Sequence, residues 1–195
     1  DFGGKVNGMP IELLTADNQN KADVALSKAR EWFDTQKMQM LIGGTNSAAA
    51  LGLAKLAQDR KRIFFVNGSG SSALTNEQCS PYTVHYAWDS VAFAKGAAAA
   101  LTQQGSKDWF ILTADYAFGH ALEADAAKVV KANGGRVVGS VRHPLNTLDF
   151  SSFLLQAQTA KAQVLGLSNA GGDTTNAVKA AREFGLDKTM KIATL

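Results

Sequence analysis

The feature that most limits what this chain can fold into is the stretch LIGGTNSAAALGLAKLAQDRKRIFFVNGSGSSALT, residues 41–75. It reads as strand, Gly-Gly turn, helix, strand, then a loop of Gly and Ser. Residues 39–42 make a short apolar run that Gly43-Gly44 breaks, and Thr45, Asn46 and Ser47 offer N-cap side chains to a helix beginning near Ala48. Leu53, Leu56 and Ala57 fall on one face of that helix, so it can lie on a sheet. Residues 63–66 form a second buried-type strand, which ends in NGSGSS. Both strands therefore end in small hydrogen-bonding residues with little side-chain bulk. In an open parallel sheet, ligands bind beyond the carboxyl ends of the strands. Exposed backbone N–H groups and a helix N-terminus there attract a carboxylate or phosphate. Without a ligand the same residues read as ordinary turns between strands and helices.

Composition narrows the function classes. Hydrophobic residues at 46% and charged residues at 19% over 195 residues describe a globular chain with room for one large domain or two small ones. The net charge of +3 is spread along helices rather than gathered in a patch, which gives no support to nucleic-acid binding. No apolar run reaches the ~20 residues of a membrane span. No signal peptide is present, but Asp1 is not a start residue, so a leader removed in maturation is compatible with the sequence. The single cysteine, Cys79, allows no disulfide within the chain and reads as a small packing residue rather than a nucleophile. Pairing with a residue outside the chain stays open.

Along the chain, Asn7-Gly8 predicts a tight hairpin turn, residues 10–16 (PIELLTA) a strand, and residues 21–37 an amphipathic helix with Val24, Ala25, Ala29, Trp32 and Phe33 inward. With residues 41–75 this gives alternating strands and helices, the pattern of a parallel sheet with helices outside it. Residues 74–81 are irregular, and residues 82–88 (YTVHYAW) are extended. An Ala-rich helix over 90–104 follows, capped by Asp89 or Ser90. Strands at 109–113, 136–141, 164–167 and 190–195 then alternate with helices at 120–132, 150–160 and 174–184, the last closed by Gly185. The expected class is α/β, with two doubly wound three-layer lobes on parallel sheets. The expected boundary puts residues 1–88 in lobe 1 and residues 89–195 in lobe 2.

Taken together, IELLTADNQN, LIGGTNSAAALGLAKLA, FFVNGSGSSALT, TADYAFG and VRHPLNTLDFSSFLLQAQTAKAQVLGL resemble the type I periplasmic solute-binding proteins of ABC importers, of the Leu/Ile/Val-binding kind. AREFGL is similar to the helix end that precedes the next strand of that family. The resemblance covers nearly the whole chain in uninterrupted order. It implies a strand and helix ahead of residue 1, with Asp1–Gly4 as the end of that helix, and a continuation past Leu195. The chain then reads as a fragment of both lobes.

The resemblance also implies a mechanism and a site. Two lobes joined by extended crossings would close on a ligand by hinge rotation, with Tyr86, Trp88 and Asp89 at the hinge. From lobe 1 the matching positions are Asn46, Ser47 and Ala48, and Ser69, Gly70 and Ser71, whose hydroxyl, amide and N–H groups would hold a carboxylate. From lobe 2, Tyr116 and Phe118 match the aromatic cleft position. Asn169 and Ala170 match a loop that often presents an aromatic side chain and here presents none. The implied ligand is a small carboxylate with an apolar or aromatic body, either an amino acid or an aromatic acid. The implied partner is a membrane permease, the implied location is the periplasm, and no cofactor or metal is implied.

Plainer readings compete at each position. Ser47 and Ser71 serve equally as helix caps, and Tyr116 and Phe118 as core aromatics. His85, His120 and His143 lack metal-ligand spacing. Asp115 and Asp149 have no matched second carboxylate for acid–base work. Gly68-x-Gly70 lacks the third Gly and following helix of a dinucleotide fingerprint, and Ser69 and Ser71 lack a GxSxG setting. An α/β enzyme using the Gly-Ser loop and a sensor or regulator domain of the same fold are the alternatives.

Overall fold

The computed structural model describes residues 3–195. Asn7 and Gly8 both have positive φ, and they turn β1 (Lys5–Val6) back on β2 (Met9–Pro10) with Lys5 opposite Pro10. The strand expected over 10–16 does not form. Past Pro10 the chain carries no ladder as far as α1, and Ile11 and Leu13 are exposed. Apolar β-formers alone do not make a strand without a neighbour to share the N–H and C=O groups. Of the helix end expected at Asp1–Gly4, residues 1 and 2 lie outside the described residues. Gly3 and Gly4 are in a turn at positive φ.

The first unit is built on a three-stranded parallel sheet in the order β3 (Met40–Gly43), β4 (Ile63–Val66), β5 (Thr83–His85). The helices α1 (Ala22–Thr35) and α2 (Ser47–Arg60) form one core with Leu41, Phe64 and Val66, contributing Ala25, Ala29, Phe33, Leu53, Leu56 and Ala57. Arg60 of α2 reaches Asp34 of α1 in an exposed ion pair. Lys61, at φ 52, closes α2 in the left-handed conformation, and the chain passes directly into β4.

The second unit is a four-stranded parallel sheet in the order β7 (Arg136–His143), β6 (Asp108–Ala114), β8 (Val164–Ser168), β9 (Lys191–Thr194). Its two faces have separate cores. Trp109 and Ile111 face a helical rod of α3 (Ser90–Ala94), a π-helical turn over Lys95–Ala99 and α4 (Ala100–Gln103), together with α5 (Ala117–Ala132). Phe110, Leu112, Leu165 and Leu167 face α6 (Ser151–Thr159) and α7 (Gly171–Glu183). That period of two on β6, apolar on both sides, is what a strand buried on both faces requires. Asp89 caps α3 by accepting a bond from the N–H of Ala92 at 2.8 Å.

The helix expected from residue 120 starts three residues earlier, at Ala117, because Tyr116 occupies the N-cap position without a side-chain cap. None of the helices among the described residues is long and apolar enough to cross a membrane. The α/β class with parallel sheets is that of the sequence expectation.

Candidate functional site

The turns after β3 and β4 lie at the same end of the first sheet and touch. Gly44, at φ +80, lets the chain leave β3 where a Cβ would lie 2.9 Å from the ring of Phe64. Asn46 is largely committed to structure. Its Oδ1 accepts from the N–H of Ala49 at 3.0 Å, and its amide donates to Asn20. The Ser69 hydroxyl donates to the Ser47 hydroxyl at 2.9 Å, both side chains being buried. The two turns thus form one continuous patch rather than facing each other across a gap. Ser71 is also buried, and its N–H approaches Ser69 Oγ at 3.4 Å. His85, at the end of β5, donates from Nε2 to the carbonyl of Ser69 at 2.7 Å and fixes the loop from the third strand. Ala48 lies in the first turn of α2, where helix N–H groups have no partner within the helix.

Gly70 is where the two units meet. A methyl group on it would lie 2.5 Å from Trp88 Cζ3 and 2.6 Å from Phe118 Cε2, so only hydrogen fits there. From that contact an aromatic chain runs across the units. Trp88 packs tilted against Phe93 with ring centres 4.9 Å apart and meets Phe118 edge-on at 6.3 Å, and Phe118 meets Tyr116 at 6.0 Å. Phe118 is buried and Tyr116 half-buried, while Trp88 is half exposed and Tyr86 almost fully exposed. Asp89 is occupied as the α3 cap. The Gly-Ser end of the first sheet therefore abuts the aromatic turn after β6.

Burial, followed by the negative charge of Asp173, pushes the Tyr116 phenol up to about 12. Tyr116 thus stays a neutral phenol, able to donate a hydrogen bond, throughout the physiological range. Asp173 itself is buried in the first turn of α7, behind Gly171-Gly172, and accepts the N–H of Asn146 at 3.1 Å. Asn169 is buried, and its side chain is spent on structure. Its amide N–H donates to Nε2 of His143 at 3.2 Å, and its oxygen accepts from Thr174 at 2.8 Å. That assignment follows from His143 Nδ1, which must be the donor to the Pro144 carbonyl at 2.8 Å. Ala170 is exposed beside these groups.

Two groups here escaped sequence reasoning. Asp173 directly follows a Gly-Gly pair at a helix start, which is a usable signal. Asp125 lies on the inward stripe of α5 with Leu122 and Ala126, and a charge on an apolar stripe is equally a signal. No cluster of three or more His, Cys, Asp or Glu side chains among the described residues could hold a metal ion. Cys79 is not the packing residue expected from the sequence: it is exposed in the loop before β5.

Small hydroxyls and N–H groups against an aromatic wall can hold an anionic head and an apolar body. The chain is similar to several known proteins. A periplasmic binding protein of Burkholderia mallei, solved as a crystal structure, is 64% identical with a TM-score of 0.95 over 98% of this chain and 51% of its own. An ABC transporter solute-binding protein of Rhodopseudomonas palustris, solved in complex with 4-hydroxybenzoate, is 29% identical with a TM-score of 0.87 over 99% of this chain and 53% of its own. The Leu/Ile/Val-binding protein homolog 6 of Brucella melitensis is 29% identical over 190 residues, which are 95% of this chain and 48% of that protein. The chain spans about half the length of these relatives. The profile of the periplasmic binding protein family matches residues 1–195, and the chain belongs to that family.

Proposed function

We propose that this chain forms the cleft-bearing part of an extracytoplasmic solute receptor that serves an ABC importer. Residues 1–88 belong to one lobe and residues 89–195 to the other, with Tyr86, Trp88 and Asp89 at a hinge. The receptor works in the periplasm, hands its ligand to a membrane permease and does no chemistry on it. The observation that carries this reading is the meeting of the Ser47–Ser69–Ser71 patch with the Phe118 and Tyr116 wall at Gly70.

The ligand is a small carboxylate with an apolar or aromatic body. The hydroxyls and N–H groups of Ser47, Ala48, Ser69, Gly70 and Ser71 receive its carboxylate, since such donors at strand ends and a helix start favour anions. Tyr116 and Phe118 cover its body. The exposed Ala170 and the following Gly171-Gly172 leave room on the second lobe, and Asp173 beside Tyr116 supplies an acceptor for an ammonium or phenol hydroxyl at the far end. The relatives are consistent with both ligand classes, one being named for Leu, Ile and Val and one holding 4-hydroxybenzoate.

Titration calorimetry of the full-length protein with 4-hydroxybenzoate, benzoate and leucine tests the reading. Saturable binding of at least one is expected, with Trp88 emission changing more than that of Trp32 or Trp109 in single-tryptophan variants. Failure of all three ligands to bind would overturn the ligand class. A response from Trp109 with none from Trp88 would overturn the hinge.

A further inference from the structure

The stripe of α5 that packs on the sheet is apolar except at Asp125, which is only 6% exposed. Burying a carboxylate costs several kcal/mol unless donors replace the lost water, and an apolar residue at such a place is usually no less stabilising. The donors at Asp125 come from outside its own helix. Its Oδ2 accepts the hydroxyl of Ser90 at 2.6 Å and the hydroxyl of Ser72 at 2.8 Å. Ser90 begins α3 just past the crossing segment, while Ser72 follows the Gly-Ser loop of the first unit. The N–H of Ser72 in turn donates to Ser90 Oγ at 3.3 Å, and the N–H of Ser90 donates to the carbonyl of Gly70 at 2.7 Å. Three segments distant in sequence are thus closed into one ring of hydrogen bonds around one carboxylate oxygen. The other oxygen takes Lys128 Nζ at 3.3 Å, an exposed partner one helical turn on.

We infer that Asp125 is a positioning residue that pins the Gly70–Ser72 loop of the first unit to α5 of the second, setting where the Ser69–Ser71 donors stand. A methylene chain at residue 125 would fill the space, but it could not orient two hydroxyls and, through Ser90, a backbone N–H. A groove beside the ring is lined by Ser72, Asn76, Glu77, Lys95 and Lys128. Held at Ser72 by the second unit and at Ser69 by Ser47 and His85 of the first, the loop would set its donors relative to both lobes. This consequence for binding rests on the receptor reading above, whereas the pinning itself does not.

Hydrogen–deuterium exchange on ligand-free full-length protein tests the pinning directly. Asp125→Ala is expected to speed exchange of amides 70–75 at least ~10-fold, the loss of hydrogen bonds to a charged acceptor, while amides 109–113 of β6 stay as in the wild type. Asp125→Asn, which keeps an oxygen able to accept both hydroxyls, should restore most of the protection. Ser72→Ala, which leaves α5 untouched, should reproduce part of the loss if Asp125→Ala fails to fold. Unchanged exchange at 70–75 in Asp125→Ala, or a rise shared equally by 109–113, would overturn the inference.

Calorimetry with 4-hydroxybenzoate and leucine is then run on the same variants. Affinity falling with Asp125→Ala and recovering with Asp125→Asn supports positioning of the site. If the wild type binds neither probe, the receptor reading loses those ligands and exchange alone decides the role of Asp125. Exchange that changes with affinity unmoved would overturn the link between the ring and the site.

Discussion

The two sheets differ in how they are covered, and the difference separates what holds the molecule together from what it works with. In the second unit both faces of β6 are packed, and Trp109, Ile111 and Leu112 are fully buried. In the first unit α1 and α2 cover the Leu41–Phe64–Val66 face, while Met40, Ile42, Ile63 and Val84 on the opposite face are 43–59% exposed. Parallel sheets depend on cover from both sides, and within residues 3–195 only one face of the first sheet has it. The candidate site uses neither face. It sits on the strand ends, where Gly44, the Asn46 cap and the Ser47–Ser69 bond shape it locally. A site made this way does not need the bare face to be filled, although its stability does.

The comparison breaks most easily at the cores. Leu112→Ala in the second unit is expected to cost about 2–5 kcal/mol, because a fully buried leucine leaves a cavity between β6, α6 and α7. Ile42→Ala on the bare face should stay within about 0.5 kcal/mol. Denaturant unfolding followed by far-UV circular dichroism measures both. Equal losses would mean that Ile42 is covered in solution and that the contrast between the sheets is wrong.

The same contrast explains which parts of the fold and site were legible in the sequence. Residues 41–75 were readable because every boundary there rests on local chemistry: Gly43-Gly44 stops a strand, Asn46 caps a helix, and the NGSGSS run ends β4. Of the second unit's strands, β6 and β8 were readable from continuous apolar runs that need both faces covered, whereas β7 and β9 lie at the sheet edges and are more exposed. Residues 10–16 were misread because a strand is a relation between two segments, and that segment's own propensity says nothing about its partner. The start of α5 was missed because Tyr116 caps nothing with its side chain. The Gly-Ser and aromatic segments were legible as turns at strand ends. The engagement of the Asn169 amide with His143 and Thr174 was not, nor was the role of Asp125, since each depends on contacts tens of residues away.

A second substitution probes the meeting point of the units. Gly70→Ala forces a methyl group into Trp88 and Phe118, an overpacking that costs about 1–3 kcal/mol. It is expected to weaken ligand binding by about tenfold or more and to shift Trp88 emission even without ligand. If affinity and emission both stayed at wild-type values, the Gly70 contact would not be the junction described here.

The helical rod before β6 offers a smaller gain in the opposite direction. Gly96 sits in the π-helical turn with open space where a Cβ would point and no positive φ. Gly96→Ala should therefore raise stability by about 0.5–1 kcal/mol, chiefly by removing freedom from the unfolded chain. A loss instead would show that the π turn needs glycine for its backbone rather than merely tolerating it.

The finest comparison sets one ion pair of each unit against the other. Arg60 holds the Asp34 carboxyl below the usual carboxylate range, by hydrogen bonding first and by charge after a small opposing effect of burial. Arg136, which reaches Asp108 through Nε at 2.7 Å and Nη2 at 3.3 Å, does the same where β6 and β7 begin. A carboxyl whose folded value is depressed adds stability above the unfolded value of about 3.9 and loses it as the pH falls through the folded value. Asp34→Asn and Asp108→Asn should each lower the melting temperature slightly at pH 7, and the difference from wild type should vanish once the pH has fallen through the depressed folded values. Both arginines are exposed, so 1 M salt should shrink both effects. If the Asp108→Asn penalty persisted at low pH while that of Asp34→Asn disappeared, the Asp108 side chain would be acting through packing at the head of the second sheet, and only the first unit's pair would be electrostatic.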